Sequence, residues 1–147
     1  MKLLYAIAAV CFATTAAATD SFDKEVYCLA QSLYFESRGE PIEGQLAVAN
    51  VIKNRIKDNR FPDSICAVVK QTKPSCQFSY HCDGKPDTLP KSKEAKQALY
   101  LALILTVLDL PDNTHGALFF HAKHVKPNWK GVKKTVVINN HVFYRGL

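Results

Sequence analysis

The sequence predicts an α+β fold, mainly α, in a single domain, and three observations carry that prediction. Apolar residues recur at intervals of three and four through several segments before residue 109. A stretch rich in proline, cysteine and polar residues interrupts them once, as a loop would. Near the end, two short β-rich runs flank Asn139-Asn140, the pattern of a hairpin.

Taken in order, Lys2, an apolar run over residues 3–12 and Ala16-Ala17-Ala18 read as an export signal over 1–18, leaving 19–147 as the folded domain. The run is short and rich in Ala and Thr for a membrane span, and Cys11 falls inside it. A first helix is predicted over about 22–38, with Phe22, Val26, Leu29, Ala30, Leu33 and Tyr34 at helical spacing, Asp20 or Ser21 as cap, and Gly39 and Pro41 as the stop. The second begins near Pro41 and carries Ile42, Leu46, Ala49, Ile52 and Ile56; Val48 and Val51 widen its apolar face and predict deep burial. Phe61-Pro62 ends it, and Asp63 or Ser64 can cap a short third helix through Cys66, Val68 and Val69. Residues 72–90 form the long loop. A fourth helix over about 92–108 is apolar nearly all round in its second half, which predicts a place at the centre of the core. Pro111-Asp112-Asn113 turns the chain, residues 117–121 make a short strand, and 135–138 pairs with 141–144.

Apart from Cys11, the cysteines are Cys28, Cys66, Cys76 and Cys82, an even number in a chain read as exported, which favours disulfides. Cys76 and Cys82 flank a short loop and are the natural local pair, leaving Cys28 with Cys66. His81, His121 and His124 raise zinc as a competing reading, against which stands the lack of any C-x-x-C pair. The net charge of +6 and pI near 9.1 favour polyanionic surroundings, but the basic residues are dispersed and export argues against nucleic acid.

One candidate carboxylate stands out. Tyr34-Phe35-Glu36-Ser37-Arg38-Gly39-Glu40-Pro41 places Glu36 in the last turn of an apolar helix. The negative end of the helix dipole and desolvation beside Phe35 both push a carboxyl pKa upward, as a general acid requires near neutral pH. The competing reading is a solvated surface Glu.

With Gly44-Gln45, Ala47-Val48-Ala49-Asn50-Val51, Asn54-Arg55, Phe61-Pro62, Gln77-Phe78-Ser79 and His141-Val142-Phe143-Tyr144 following in order, residues 26–145 resemble the SleB-type cell wall hydrolases. The resemblance implies a lysozyme-like, lytic-transglycosylase-like fold and cleavage of peptidoglycan. It also implies that the Glu of the E-[AS]-R-G-E segment, here Glu36, is catalytic. Glu36-Ser37 is similar to the pair that marks wider lytic transglycosylases, with Ser37 where family members often have Ala. Spore enzymes of this kind carry an additional peptidoglycan-binding domain, so the expectation for these 147 residues is a catalytic module alone.

Breaking the β-1,4 bond between N-acetylmuramic acid and N-acetylglucosamine requires a proton on the departing oxygen, and a hydrolase adds a second carboxylate. Glu40, Glu43 and Asp83 are the candidates, but the first two suit a helix N-terminus and Asp83-Gly84 suits a turn. A lytic transglycosylase needs one carboxylate and forms 1,6-anhydromuramyl ends, so that chemistry is favoured. Gln77, Phe78, Ser79 and Tyr80 are the expected substrate-binding wall, with His121 and Tyr144 facing it from the C-terminal strands. Trp129 is assigned to the core, and Asn54 and Arg55 to helix packing or an ion pair. The expected partner is the peptidoglycan glycan strand, met by an exported monomer in the periplasm or outside the cell. No nucleic acid, cofactor, metal or membrane insertion after leader removal is expected. The rival readings are a hydrolytic muramidase and a non-catalytic wall-binding protein of the same fold.

Overall fold

Residues from Lys2 to Ser37 contain neither proline nor glycine, and they form one continuous helix, α1 (Lys2–Ser37). The computed structural model describes residues 2–146, with side chains from 17 to 146. The helix therefore starts well before residue 22, because nothing in the Ala- and Leu-rich segment breaks it. Asp20 and Ser21 do not cap it; Asp20 instead pairs with Lys24 at 2.7 Å within the helix. Apart from residues 17 and 18, the expected leader, with Cys11, lies outside the residues whose side chains are described. Among the described residues no helix is long and apolar enough to cross a membrane.

Helix α2 (Ile42–Lys57) follows after a short turn, with Pro41 at its N-cap rather than in its first turn. Ser64 caps the short α3 (Ile65–Val69), its hydroxyl accepting from the Ala67 amide, while Glu25 of α1 accepts from the Ile65 amide at 2.6 Å. The loop that comes next contains one 3₁₀ turn (Ser79–Cys82) and leads to α4 (Lys93–Val107), capped by Ser92. Strands β1 (Phe119–Ala122), β2 (Val132–Ile138) and β3 (His141–Gly146) form an antiparallel sheet in the order β1-β3-β2. Ile138 faces His141 across the Asn139-Asn140 turn, where Asn139 takes a φ of 49°.

The main core joins Leu29, Ala30 and Leu33 of α1 to Val48, Ala49 and Ile52 of α2, with Val68, Phe78 and Leu105 closing it. A smaller cluster of Ala47, Val51, Ala117 and Phe143 fastens the sheet to the other side of α2. This makes α2 the central helix. The expectation for α4 is corrected: it packs on α1 along Ala95, Ala98, Ala102 and Leu105, while Leu99, Tyr100, Leu103, Ile104 and Val107 stay exposed. Apolar side chains also make up much of a folded surface, so apolar composition alone does not say which helix takes the centre.

Both disulfides match the expected pairing, Cys28 with Cys66 and Cys76 with Cys82. The first ties α1 to α3 across a sequence separation of 38, the second closes a loop of separation 6. Constraint of the unfolded chain grows with loop length, so replacing Cys28 and Cys66 by Ala should cost about 2–4 kcal/mol. The Cys76/Cys82 double variant should cost less. Urea denaturation of the two variants checks this, and equal losses would contradict it.

Candidate active site

A cleft of about 640 Å³ opens between the C-terminal end of α1, the disulfide loop and the sheet. Glu36, the penultimate residue of α1, reaches it half-buried, beside a Phe35 ring that stacks on Tyr80 at 4.7 Å. No hydrogen bond from a described residue reaches its carboxylate. Burial raises the Glu36 pKa from 4.5 to about 7, opposed by the positive charge of Arg55. Ser37 takes no part in the cleft: its buried hydroxyl donates to the Leu33 carbonyl one turn back.

Arg55 is the second charged group of the cleft, and only 3% of it is exposed. Its Nε donates to the Leu118 carbonyl at 2.7 Å, and its guanidinium carbon lies 5.2, 5.5 and 5.7 Å from the ring centres of Phe61, Phe78 and Phe119. Its buried Nη1 has no hydrogen-bond partner among the described residues. Burial lowers its pKa to about 10, with Glu36 opposing, so it stays cationic at neutral pH. Arg55 and Glu36 form no ion pair, so the cation acts on the carboxyl through the field alone. His141 also lines the cleft, its Nδ1 buried and unpartnered among the described residues, and burial lowers its pKa.

The expected binding residues divide. Gln77 and Ser79 line the cleft beside Ser75 and the Cys76–Cys82 bridge. Phe78 does not: in extended conformation just before the 3₁₀ turn, it is fully buried, because its large apolar ring packs in the main core. Tyr80 is also buried, bonded to the Ser32 hydroxyl at 3.0 Å. His121 lines the cleft, and its Nε2 meets the Tyr144 hydroxyl at 3.0 Å. Tyr144 itself lies behind His121, in a neighbouring groove. Trp129 is corrected from core to cleft: it is 41% exposed and packs edge-on against His121 and Tyr144.

Of the other carboxylates considered, Glu40 accepts from the Asn140 amide and side chain, pinning the hairpin turn to the α1–α2 junction rather than capping α2. Glu43 lies in the first turn of α2, as expected of a residue that favours a helix N-terminus. Asp83 accepts from the Lys85 amide in the turn made by Gly84. Among the described residues lining the cleft, Glu36 is the one carboxylate. No three His, Cys, Asp or Glu side chains converge as a metal site among the described residues.

The residues missed by sequence reasoning are Arg55, Ser75, Phe119, Phe120, Trp129 and His141. Arg55 carried a signal: it continues the buried stripe of Val48, Val51 and Ile52, where a charge is out of place. Asn54 does support packing, donating to Asp112, Thr114 and the Ala117 carbonyl. These bonds hold the loop that delivers β1 to the cleft.

Residues 39–144 match the family model described as Cell Wall Hydrolase, a span that begins just after Glu36. The spore cortex-lytic enzyme of Oceanobacillus iheyensis is 31% identical over 121 residues, covering 81% of this chain and 41% of that protein. That of Halalkalibacterium halodurans is 34% identical over 98 residues, 67% of this chain and 27% of that protein. The chain thus spans less than half the length of these relatives. Among solved structures, the catalytic domain of the germination-specific lytic transglycosylase SleB from Bacillus anthracis superposes with a TM-score of 0.61 at 30% identity, covering 81% of this chain and 92% of that one.

Proposed function

Because this chain belongs to the cell wall hydrolase family and has the lysozyme-like fold of its SleB catalytic domains, we propose that it is a peptidoglycan-cleaving enzyme working as a lytic transglycosylase. Glu36 is its acid and base. The observation that carries this reading is the one carboxylate among the described residues lining the cleft, whose burial raises its pKa to about 7, so that both its protonated and its ionised forms are populated near neutral pH.

In the first step Glu36 gives its proton to the glycosidic oxygen as the bond from the muramyl anomeric carbon to that oxygen breaks. N-acetylglucosamine leaves with a free hydroxyl. The ionised Glu36 then takes the proton of the muramyl 6-hydroxyl while its oxygen bonds to the anomeric carbon. This regenerates the acid and consumes no water. Arg55 stabilises the carboxylate between the two proton transfers, and its distance from a direct ion pair leaves the protonated form accessible. Phe119 and Trp129 offer flat apolar faces, and Gln77, Ser75 and Ser79 offer polar groups for the sugar hydroxyls and acetamides. The net positive charge and the leader-like residues 1–18 support an exported protein acting at the wall, in the periplasm or outside the cell.

Mass spectrometry of the muropeptides released from purified peptidoglycan tests the reaction. Anhydromuramyl ends are expected. Reducing ends would make the enzyme a hydrolytic muramidase with a second carboxylate outside the cleft lining, and no sugar product would leave a wall-binding protein.

A further inference from the structure

A second groove of about 430 Å³ lies on the far side of Trp129 and shares His121, Val125 and Trp129 with the cleft. The shared side chains, the His121 and Trp129 rings together with Val125, form the ridge between the two spaces. That ridge is held in place: His121 stacks on Tyr144 at 5.4 Å and bonds its hydroxyl, and Trp129 packs edge-on at 5.7 Å from the Tyr144 ring centre.

The groove's chemistry differs from that of the cleft. Lys123 and Lys126 line it, both exposed and both without an ion pair among the described residues, and no carboxylate lines it. The sequence holds no Asp or Glu after Asp112, so nothing on the loop or the sheet neutralises them. A pair of cations beside a sugar cleft calls for an anion borne on the same ligand. The glycan of peptidoglycan supplies none, because its acetamides are neutral and its muramyl carboxyl is tied up in the link to peptide. The peptide branch does, through its free side-chain and terminal carboxylates.

Building on the transglycosylase reading, we propose that this groove receives the peptide branch of the substrate, with Lys123 and Lys126 binding its carboxylates. Lys123 and Lys126 thereby set a preference for glycan that carries anionic peptides. Trp129 directs sugar to one side and peptide to the other.

The test compares purified peptidoglycan with the same material after its free carboxylates have been converted to amides. The modification leaves the glycan intact. The wild-type protein is expected to cleave the native substrate about five to ten times more efficiently, the range that two partly solvated ion pairs provide. The K123E/K126E variant should cleave native substrate no faster than wild type cleaves the amidated one, and should show no preference. The K91E/K96E variant carries the same change of net charge on exposed positions outside the groove, and should keep the wild-type preference. Equal wild-type rates on the two substrates would overturn the proposal, as would a preference that survives in K123E/K126E or disappears equally in K91E/K96E. Failure of the wild type to release sugar products from either substrate would instead bring down the parent reading and this proposal with it.

Discussion

Replacing Glu36 with Gln is expected to lower release of muropeptides by about 10²–10⁴-fold, the range that a positioned acid and base contributes, with wall binding retained. Gln keeps the volume and polarity of the side chain and removes the transferable proton. A variant keeping more than a tenth of wild-type activity would sink the assignment. The same substitution has a second readout that separates the carboxyl from a general packing role. The folded-state pKa of Glu36 is raised from 4.5 to about 7, so the fold favours the protonated form. Below about pH 4.5 that preference costs nothing. As pH climbs towards 7 the unfolded chain ionises more readily than the folded one, and stability falls with it. The full cost, at most roughly 3 kcal/mol and less for a half-buried group, is present above pH 7. Glu36→Gln has no such term. Its melting temperature should match wild type near pH 4 and exceed it by a few degrees at pH 8.

Removing the Arg55 charge should produce the next largest loss of activity, about 10²-fold in kcat for Arg55→Met, together with a displaced pH profile. In the wild type, kcat/KM should fall as pH rises through about 7, where Glu36 loses the proton it must donate. Arg55 holds that pKa down, so without the cation the limb moves to higher pH. Activity nevertheless drops, because the carboxylate formed after the first proton transfer loses its stabilising charge. Met fills the space between the Phe61, Phe78 and Phe119 rings, which limits the packing loss. Arg55→Lys keeps a cation and should leave the limb near 7 while giving up the bond to the Leu118 carbonyl. An unmoved limb in Arg55→Met would show that the guanidinium serves packing only.

The elements that could be read along the chain were those set by local pattern. The spacing of Leu29, Leu33, Val48 and Ile52 announces α1 and α2, and Ser64 and Ser92 mark helix starts with their own hydroxyls. The Asn139-Asn140 pair announces its hairpin because Asn tolerates positive φ. The position of Glu36 at the end of an apolar helix was legible for the same reason. Competition between elements was not. The most apolar stretch, in α4, stays at the edge because its alanine stripe suits close contact with α1, while α2 takes the centre by meeting both the helices and the sheet. Within the loop, the polar Gln77 and Ser79 line the cleft while the aromatic Phe78 and Tyr80 turn into the core, a sorting that needs the packed core and the Ser32 hydroxyl to be in place.

By itself the sequence determined that the helices and the hairpin exist and that a carboxylate ends α1, since each depends on residues close together; the four cysteines after Cys11 left three pairings open, of which the short Cys76–Cys82 spacing favoured the one that forms. Only the tertiary structure decided what surrounds that carboxylate. Arg55, His141 and Trp129 reach the cleft from α2, the sheet and the loop before β2, and side chains so far apart in sequence meet only after the core has packed. The raised pKa of Glu36 has the same origin: desolvation and the field of a cation depend on distances through space, which no local pattern contains.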